Sequence, residues 1–108
     1  MDQLAKTKAA LGRVADLFDA ELRSQGIAWA SASAWVSKFD DGRVVRRIYV
    51  NVGRQASGYI NVAEDGAMTI PRNSRGTGWI FDRPALGRAA EKFVEAVGRV
   101  DFSEGANG

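Results

Sequence analysis

The sequence contains neither cysteine nor histidine among its 108 residues. The absence of cysteine excludes disulfides and thiolate nucleophiles, and the absence of histidine excludes imidazole bases and nearly every zinc, copper or haem site. Chemistry would have to depend on carboxylates, hydroxyl groups, lysine or arginine. Because no nucleophile–base pair or metal cluster is visible, we predict a protein that is not an enzyme and that holds no metal or cofactor.

The sequence also lacks long apolar runs. No stretch approaches the roughly 20 apolar residues that a membrane-spanning helix needs. The residues after Met1 lack the basic and then apolar pattern of a secretory signal. We therefore expect a protein of the cytoplasm of a bacterial or phage-infected cell, with no membrane partner.

The composition is that of one folded domain, with 45% hydrophobic and 26% charged residues. We assign residues 1–101 to this domain and expect residues 102–108 to be a frayed tail. Fifteen basic residues against thirteen acidic ones give a formal net charge of +2. This mild excess permits a polyanionic partner without demanding one.

Helical periodicity occurs at both ends of the sequence. Apolar residues at helical spacing predict a first helix from Asp2 to Gln25, which Gly26 ends. Asp82 is a plausible N-cap of a second helix, with Pro84 in its first turn. The buried stripe of this helix is predicted to comprise Leu86, Ala89, Ala90, Phe93, Ala96, Val97 and Val100.

Between these helices, β-branched and aromatic residues interrupted by turn signals predict an antiparallel meander of four or five strands. Asp40-Asp41-Gly42 and Glu64-Asp65-Gly66 are typical of three-residue hairpin loops closed by glycine in the left-handed region. This register places Phe39 opposite Arg43 and Ala63 opposite Ala67. A fifth strand is predicted at residues 79–81.

The same register sorts the strand residues onto two faces, because side chains alternate along a strand. One face is aliphatic and is interrupted by Lys38 and Arg46; in the second hairpin it pairs Ile60 with Ile70 and Val62 with Met68. The other face is aromatic, arginine-rich and amide-bearing, and it pairs Trp35 with Arg47. Its residues of interest are Trp35, Phe39, Arg43, Arg47, Tyr49, Asn51, Tyr59 and Asn61.

These elements predict an α+β two-layer sandwich, with both helices on the aliphatic face and the aromatic face open. A rival arrangement places one helix on each face, which would bury Trp35 and Phe39 as core residues.

The aromatic face has the composition that single-stranded nucleic-acid binders use, since bases stack on rings and positive charge follows the phosphates. The stacking candidates are Trp35, Phe39, Tyr49 and Tyr59, and the polar candidates are Arg43, Arg47, Asn51 and Asn61. The basic loop 72–78 adds Arg72 and Arg75 as phosphate ligands. This loop lacks the spacing of a nucleotide-binding P-loop, so nucleotide hydrolysis is not supported.

Two other interpretations of the aromatic face remain open. Trp35 and Arg47 could form a cation–π pair that only stabilises the sheet. The face could also bind protein, either in a homodimer or as a phage- or mobile-element-type inhibitor or adaptor that recognises a host protein. Of these functions, we favour binding of single-stranded nucleic acid.

Overall fold

The computed structural model describes residues 3–72 and 80–102. Its elements are helix α1 (Gln3–Ser24), strands β1 (Ser31–Lys38), β2 (Val44–Val52), β3 (Gln55–Val62) and β4 (Met68–Thr69), and helix α2 (Pro84–Val97). The four strands form one antiparallel sheet in the order β1-β2-β3-β4. The predicted α+β fold, a meander between two helices, is confirmed.

The first hairpin has the predicted loop. The Phe39 N–H donates to the Arg43 carbonyl at 2.8 Å, and the Gly42 N–H donates to the Phe39 carbonyl at 2.9 Å. Gly42 has φ +89°, in the left-handed region that glycine favours. The Asp41 carboxylate accepts the Arg43 N–H at 2.9 Å. Turn chemistry therefore sets the register that places Trp35 opposite Arg47.

The second hairpin follows the same design. The Ala63 N–H donates to the Ala67 carbonyl at 2.9 Å, and Val62 faces Met68 as predicted. Strand β4 ends at Thr69, one residue short of the Ile70 that this register places opposite Ile60. Ile70 nevertheless packs against the core.

Both helices pack on the aliphatic face of the sheet, which we call the inner face. Their buried residues share one core with Ile48 and Ile60 of the sheet. The Phe18 ring of α1 stacks on the Phe93 ring of α2, with 4.6 Å between centroids. Neither of the two described helices covers the opposite face of the sheet, which we call the outer face.

The chain before α2 differs from the prediction. Ile80 and Phe81 are not in a strand, and Trp79 lies outside the described residues, so a fifth strand is not formed at residues 80–81. Phe81 packs into the core instead. Its ring lies so close to Gly58 of β3 that a Cβ there would overlap it.

The observed limits of helix α2 also differ from the predicted ones. Arg83, not Asp82, occupies the N-cap position, without a side-chain capping hydrogen bond. The Asp82 carboxylate instead accepts a hydrogen bond from the Ser57 hydroxyl, because the chain crosses β3 just before the helix begins. Pro84 starts the helix as predicted. Ala96 is exposed, and Val100 is buried beyond the end of the helix.

Candidate binding face

The outer face of the sheet is built from rows of residues that oppose one another across three strands. Trp35 of β1 lies opposite Arg47 of β2, which lies opposite Asn61 of β3. In the next row Tyr49 lies between Ser33 and Tyr59. The predicted aromatic, arginine and amide residues of these strands are therefore brought together on one face.

Arg47 is at the centre of this arrangement. Its guanidinium carbon lies 4.2 Å from the centroid of the Tyr59 ring and 5.8 Å from that of Trp35. Its Nη1 donates to the Tyr49 hydroxyl oxygen at 2.9 Å. Cation–π contacts of this kind contribute about 0.5–1 kcal/mol each at exposed sites. Three aromatic side chains therefore restrict the position of a single cation.

The rings also contact one another. Trp35 and Tyr49 meet edge to face, with centroids 6.0 Å apart and an interplanar angle of 81°. Tyr49 and Tyr59 are tilted by 52°, with 5.5 Å between centroids. Both distances fall in the range of favourable aromatic pairs. We call Trp35, Arg47, Tyr49 and Tyr59 the Arg47 cluster.

The charge of Arg47 has no acidic partner in the part of the chain that the structure describes. The ion pairs found there join Arg23 to Asp19 and Arg99 to Asp65. The Nε of Arg47 is buried and lacks a hydrogen-bond partner among those residues. The guanidinium therefore carries a positive charge that has no carboxylate partner among these residues and that lies among aromatic side chains.

Phe39 and Arg43 extend the outer face at the first hairpin. The Arg43 guanidinium carbon lies 4.7 Å from the Phe39 ring centroid. Phe39 is 41% exposed and Trp35 is 38% exposed, although both are large apolar residues. Because they lie four residues apart on one face, about 13 Å separates their backbone positions. The face therefore offers two exposed rings, each with an arginine beside it.

Two amide side chains complete the face. Asn51 donates from Nδ2 to the Ser33 hydroxyl at 3.0 Å, which links β2 to the edge strand. Asn61 is half-buried in the row of Arg47, next to Thr69 of β4. Amides combine donors and acceptors, which suits contact with the edge of a base or with a peptide group.

The predicted contribution of loop 72–78 differs from that of the strands. Arg72 is exposed and lines a groove with Ile70 and with Glu91, Val94 and Glu95 of α2. It therefore lies beside helix α2 and not among the residues of the outer face. Arg75 lies outside the described residues.

One exposed aromatic residue is absent from the sequence prediction. Trp29, in the connection between α1 and β1, is 46% exposed. The Arg83 guanidinium carbon lies 5.3 Å from its ring centroid. No local pattern joins these two residues, since they come from different connections that only the fold brings together.

One aspartate in each of the two hairpin loops forms a hydrogen bond within its turn. Asp41 and Asp65 accept backbone N–H groups two residues ahead, and Asp65 also lies 3.9 Å from Arg99. Within residues 3–72 and 80–102 there is no cluster of three or more metal-ligating side chains. Neither described helix is apolar enough along its length to span a membrane.

Comparison with protein-family models, with curated proteins and with solved structures finds no match.

Proposed function

We propose that this protein is a non-enzymatic module that binds single-stranded nucleic acid through the outer face of its sheet. The observation that carries the proposal is the Arg47 guanidinium, which is held by three aromatic side chains and has no carboxylate partner among the described residues. Its position favours an anionic ligand whose neighbouring groups are flat and apolar. Phosphates between unpaired bases meet that description.

Each part of the face has a role in this proposal. Among the rings of the outer face, Trp35 and Phe39 have the largest exposed fractions, so bases stack there. Arg47 and Arg43 contact the phosphates between the stacked bases. Tyr49 and Tyr59 hold Arg47 in place, and Asn51 and Asn61 contact base edges. Arg72, which lies towards the helices, is expected to add only long-range attraction.

The test is fluorescence anisotropy of a labelled mixed-sequence oligonucleotide, titrated with protein at about 50 mM and about 200 mM salt. Single-strand affinity falls by about 0.7 log units per phosphate contact for each tenfold rise in salt. Trp35→Ala is expected to cost about 1–3 kcal/mol of binding free energy if a base stacks on it. Arg47→Ala should weaken binding and reduce the salt slope.

Two matched controls separate the face from general effects. Arg88→Ala removes one exposed positive charge from α2, on the helical side of the sheet, and Trp29→Ala removes an exposed tryptophan that is not on a strand. Neither should change affinity by more than about twofold, corresponding to less than 0.5 kcal/mol. Equal losses in the Arg47 and Arg88 variants, or binding unaffected by salt, contradict the proposal.

The second candidate is a protein-binding module, such as a phage- or mobile-element-type inhibitor or adaptor. It is favoured by the mutual packing of Trp35, Tyr49 and Tyr59 around Arg47, because rigid Trp, Tyr and Arg residues dominate protein interfaces. Absence of oligonucleotide binding at low salt, together with capture of one defined partner that Trp35→Ala abolishes, would support this candidate instead.

A further inference from the structure

Serine side chains flank Trp35 on the outer face of β1. Ser33 lies two residues before it and Ser37 two residues after it. Side chains two residues apart on a strand point to the same face, and their backbone positions are about 7 Å apart. Ser33 is exposed, as is Trp35. A base that stacks on Trp35 therefore has its sugar within reach of a hydroxyl group.

The two serines differ in how they are held. The Ser33 hydroxyl oxygen accepts a hydrogen bond from Asn51 Nδ2 of the neighbouring strand at 3.0 Å. Ser37 is half-buried and forms no side-chain hydrogen bond with another described residue. A bond from β2 restricts the rotation of the Ser33 side chain, whereas nothing comparable restricts Ser37. Ser33 therefore carries the positioned hydroxyl group beside Trp35.

The Ser33 hydroxyl retains both kinds of hydrogen-bonding capacity. A serine hydroxyl has one donor hydrogen and two acceptor lone pairs, and the bond from Asn51 occupies one lone pair. A ribose 2′-hydroxyl is also both a donor and an acceptor, and it is the group by which a protein distinguishes RNA from DNA. Because the deoxyribose carbon at the same place can form neither bond, a positioned hydroxyl favours ribose.

We propose that the outer face prefers RNA to DNA, because the Ser33 hydroxyl, oriented by Asn51, hydrogen-bonds to the ribose of the nucleotide stacked on Trp35. Asn51 is a positioning residue for this contact. Its amide carbonyl has no partner among the described residues and remains available to a base edge. The inference rests on the proposed function and names the kind of nucleic acid that the outer face binds.

The test compares strands of one sequence that differ only at the 2′ position. A labelled strand of about 12 nucleotides, within the range of single-strand site sizes, contains only A, C and G, so that neither uracil nor the thymine methyl group contributes. It is prepared as RNA, as DNA and as 2′-fluoro RNA, which keeps the sugar pucker of RNA but lacks the donor hydrogen. Anisotropy titrations at about 50 mM salt give the three affinities.

The RNA strand should bind about fivefold or more tightly than the DNA strand, which is the effect of about one net hydrogen bond. The 2′-fluoro strand should bind like DNA.

Variants of the serines locate the preference. Ser33→Ala should abolish it by weakening RNA binding alone, and its unchanged DNA affinity shows that the variant is folded. Ser33→Thr keeps the hydroxyl and should keep the preference. Asn51→Ala should lower the ratio of RNA to DNA affinity, because the Ser33 hydroxyl is no longer oriented. The matched control, Ser37→Ala, removes a hydroxyl from the other side of Trp35 and should leave this ratio unchanged.

The outcomes separate this inference from the proposed function. Equal affinity for RNA and DNA, with both affinities reduced by Arg47→Ala, overturns the inference and leaves the proposed function in place. A preference for RNA that the 2′-fluoro strand shares, or that Ser33→Ala retains, also overturns it, because sugar pucker or another residue would then be the cause. Failure of every strand to bind contradicts the proposed function and the inference together.

Discussion

The two faces of the sheet are built from alternate residues of the same strands, but only the inner face is buried against the helices. Ile48 and Ile60 are fully buried on the inner face, whereas Tyr49 and Tyr59, their neighbours in sequence, lie in the Arg47 cluster on the outer face. The inner face excludes water through aliphatic packing. The outer face is organised by ring contacts and a cation, and neither described helix packs on it. The core therefore lies on one face of the sheet, and the proposed binding surface lies on the other.

The largest loss of stability is expected from Ile48→Ala, which removes a buried side chain from the inner face. Ile48 is 0% exposed and belongs to the core shared by both helices. Loss of a buried aliphatic side chain costs about 2–5 kcal/mol of unfolding free energy, measurable by urea denaturation. The conservative Ile48→Val should cost about 0.5–1.5 kcal/mol. Folded Ile48→Ala protein should still bind the oligonucleotide, and loss of binding in this variant would contradict the division between the faces.

A smaller effect is expected at Gly58, where the Phe81 ring fills the space of a side chain. Gly58→Ala should reduce the unfolding free energy by about 1–3 kcal/mol, because overpacking forces the ring or the strand to move. The matched control is Gly12→Ala in α1, where a Cβ would meet no atom within 4 Å. That substitution should stabilise the protein by about 0.5–1 kcal/mol through helix propensity. Equal effects in the two variants would exclude the close contact at Gly58.

The smallest change in stability is expected on the outer face. Tyr59→Leu removes the ring nearest to the Arg47 guanidinium and should cost about 0.5–1 kcal/mol of unfolding free energy. Oligonucleotide affinity should fall as well, since Arg47 is less restrained. Tyr59→Phe keeps the ring and should remain within about 0.5 kcal/mol of the original protein. A larger loss of stability than for Ile48→Ala would place Tyr59 in the core.

Sequence reasoning succeeded where local chemistry determines structure. An aspartate precedes a glycine at residues 41–42 and at residues 65–66, and each pair determines the conformation of its hairpin loop. The loop in turn fixes the strand register, and the register determines which residues share a face. For this reason Trp35, Arg47, Tyr49 and Tyr59 could be grouped from sequence alone. The contacts within the Arg47 cluster also required knowledge of the β2–β3 register, which the sequence analysis did not specify.

The errors occur where distant segments determine the outcome. Asp82 has the side chain of an N-cap, but Ser57 of β3 hydrogen-bonds to it. Phe81 has strand propensity, but the space above Gly58 accepts its ring. Neither of these partners is close in sequence, so propensity and periodicity could not identify them.

The second hairpin is hydrogen-bonded to the chain segment that follows helix α2. Gly66 has φ +93° and its carbonyl accepts the Val100 N–H at 2.9 Å, while Ala67 forms a bridge with Arg99. A side chain at Gly66 would collide with the Val100 carbonyl. During synthesis, the two-residue strand β4 therefore remains without this support until residues 99–100 have emerged. Because this contact joins segments that are far apart in sequence, we expect it to form late in folding. In a nascent chain that ends after α2, the β4 edge of the sheet lacks this contact and is exposed.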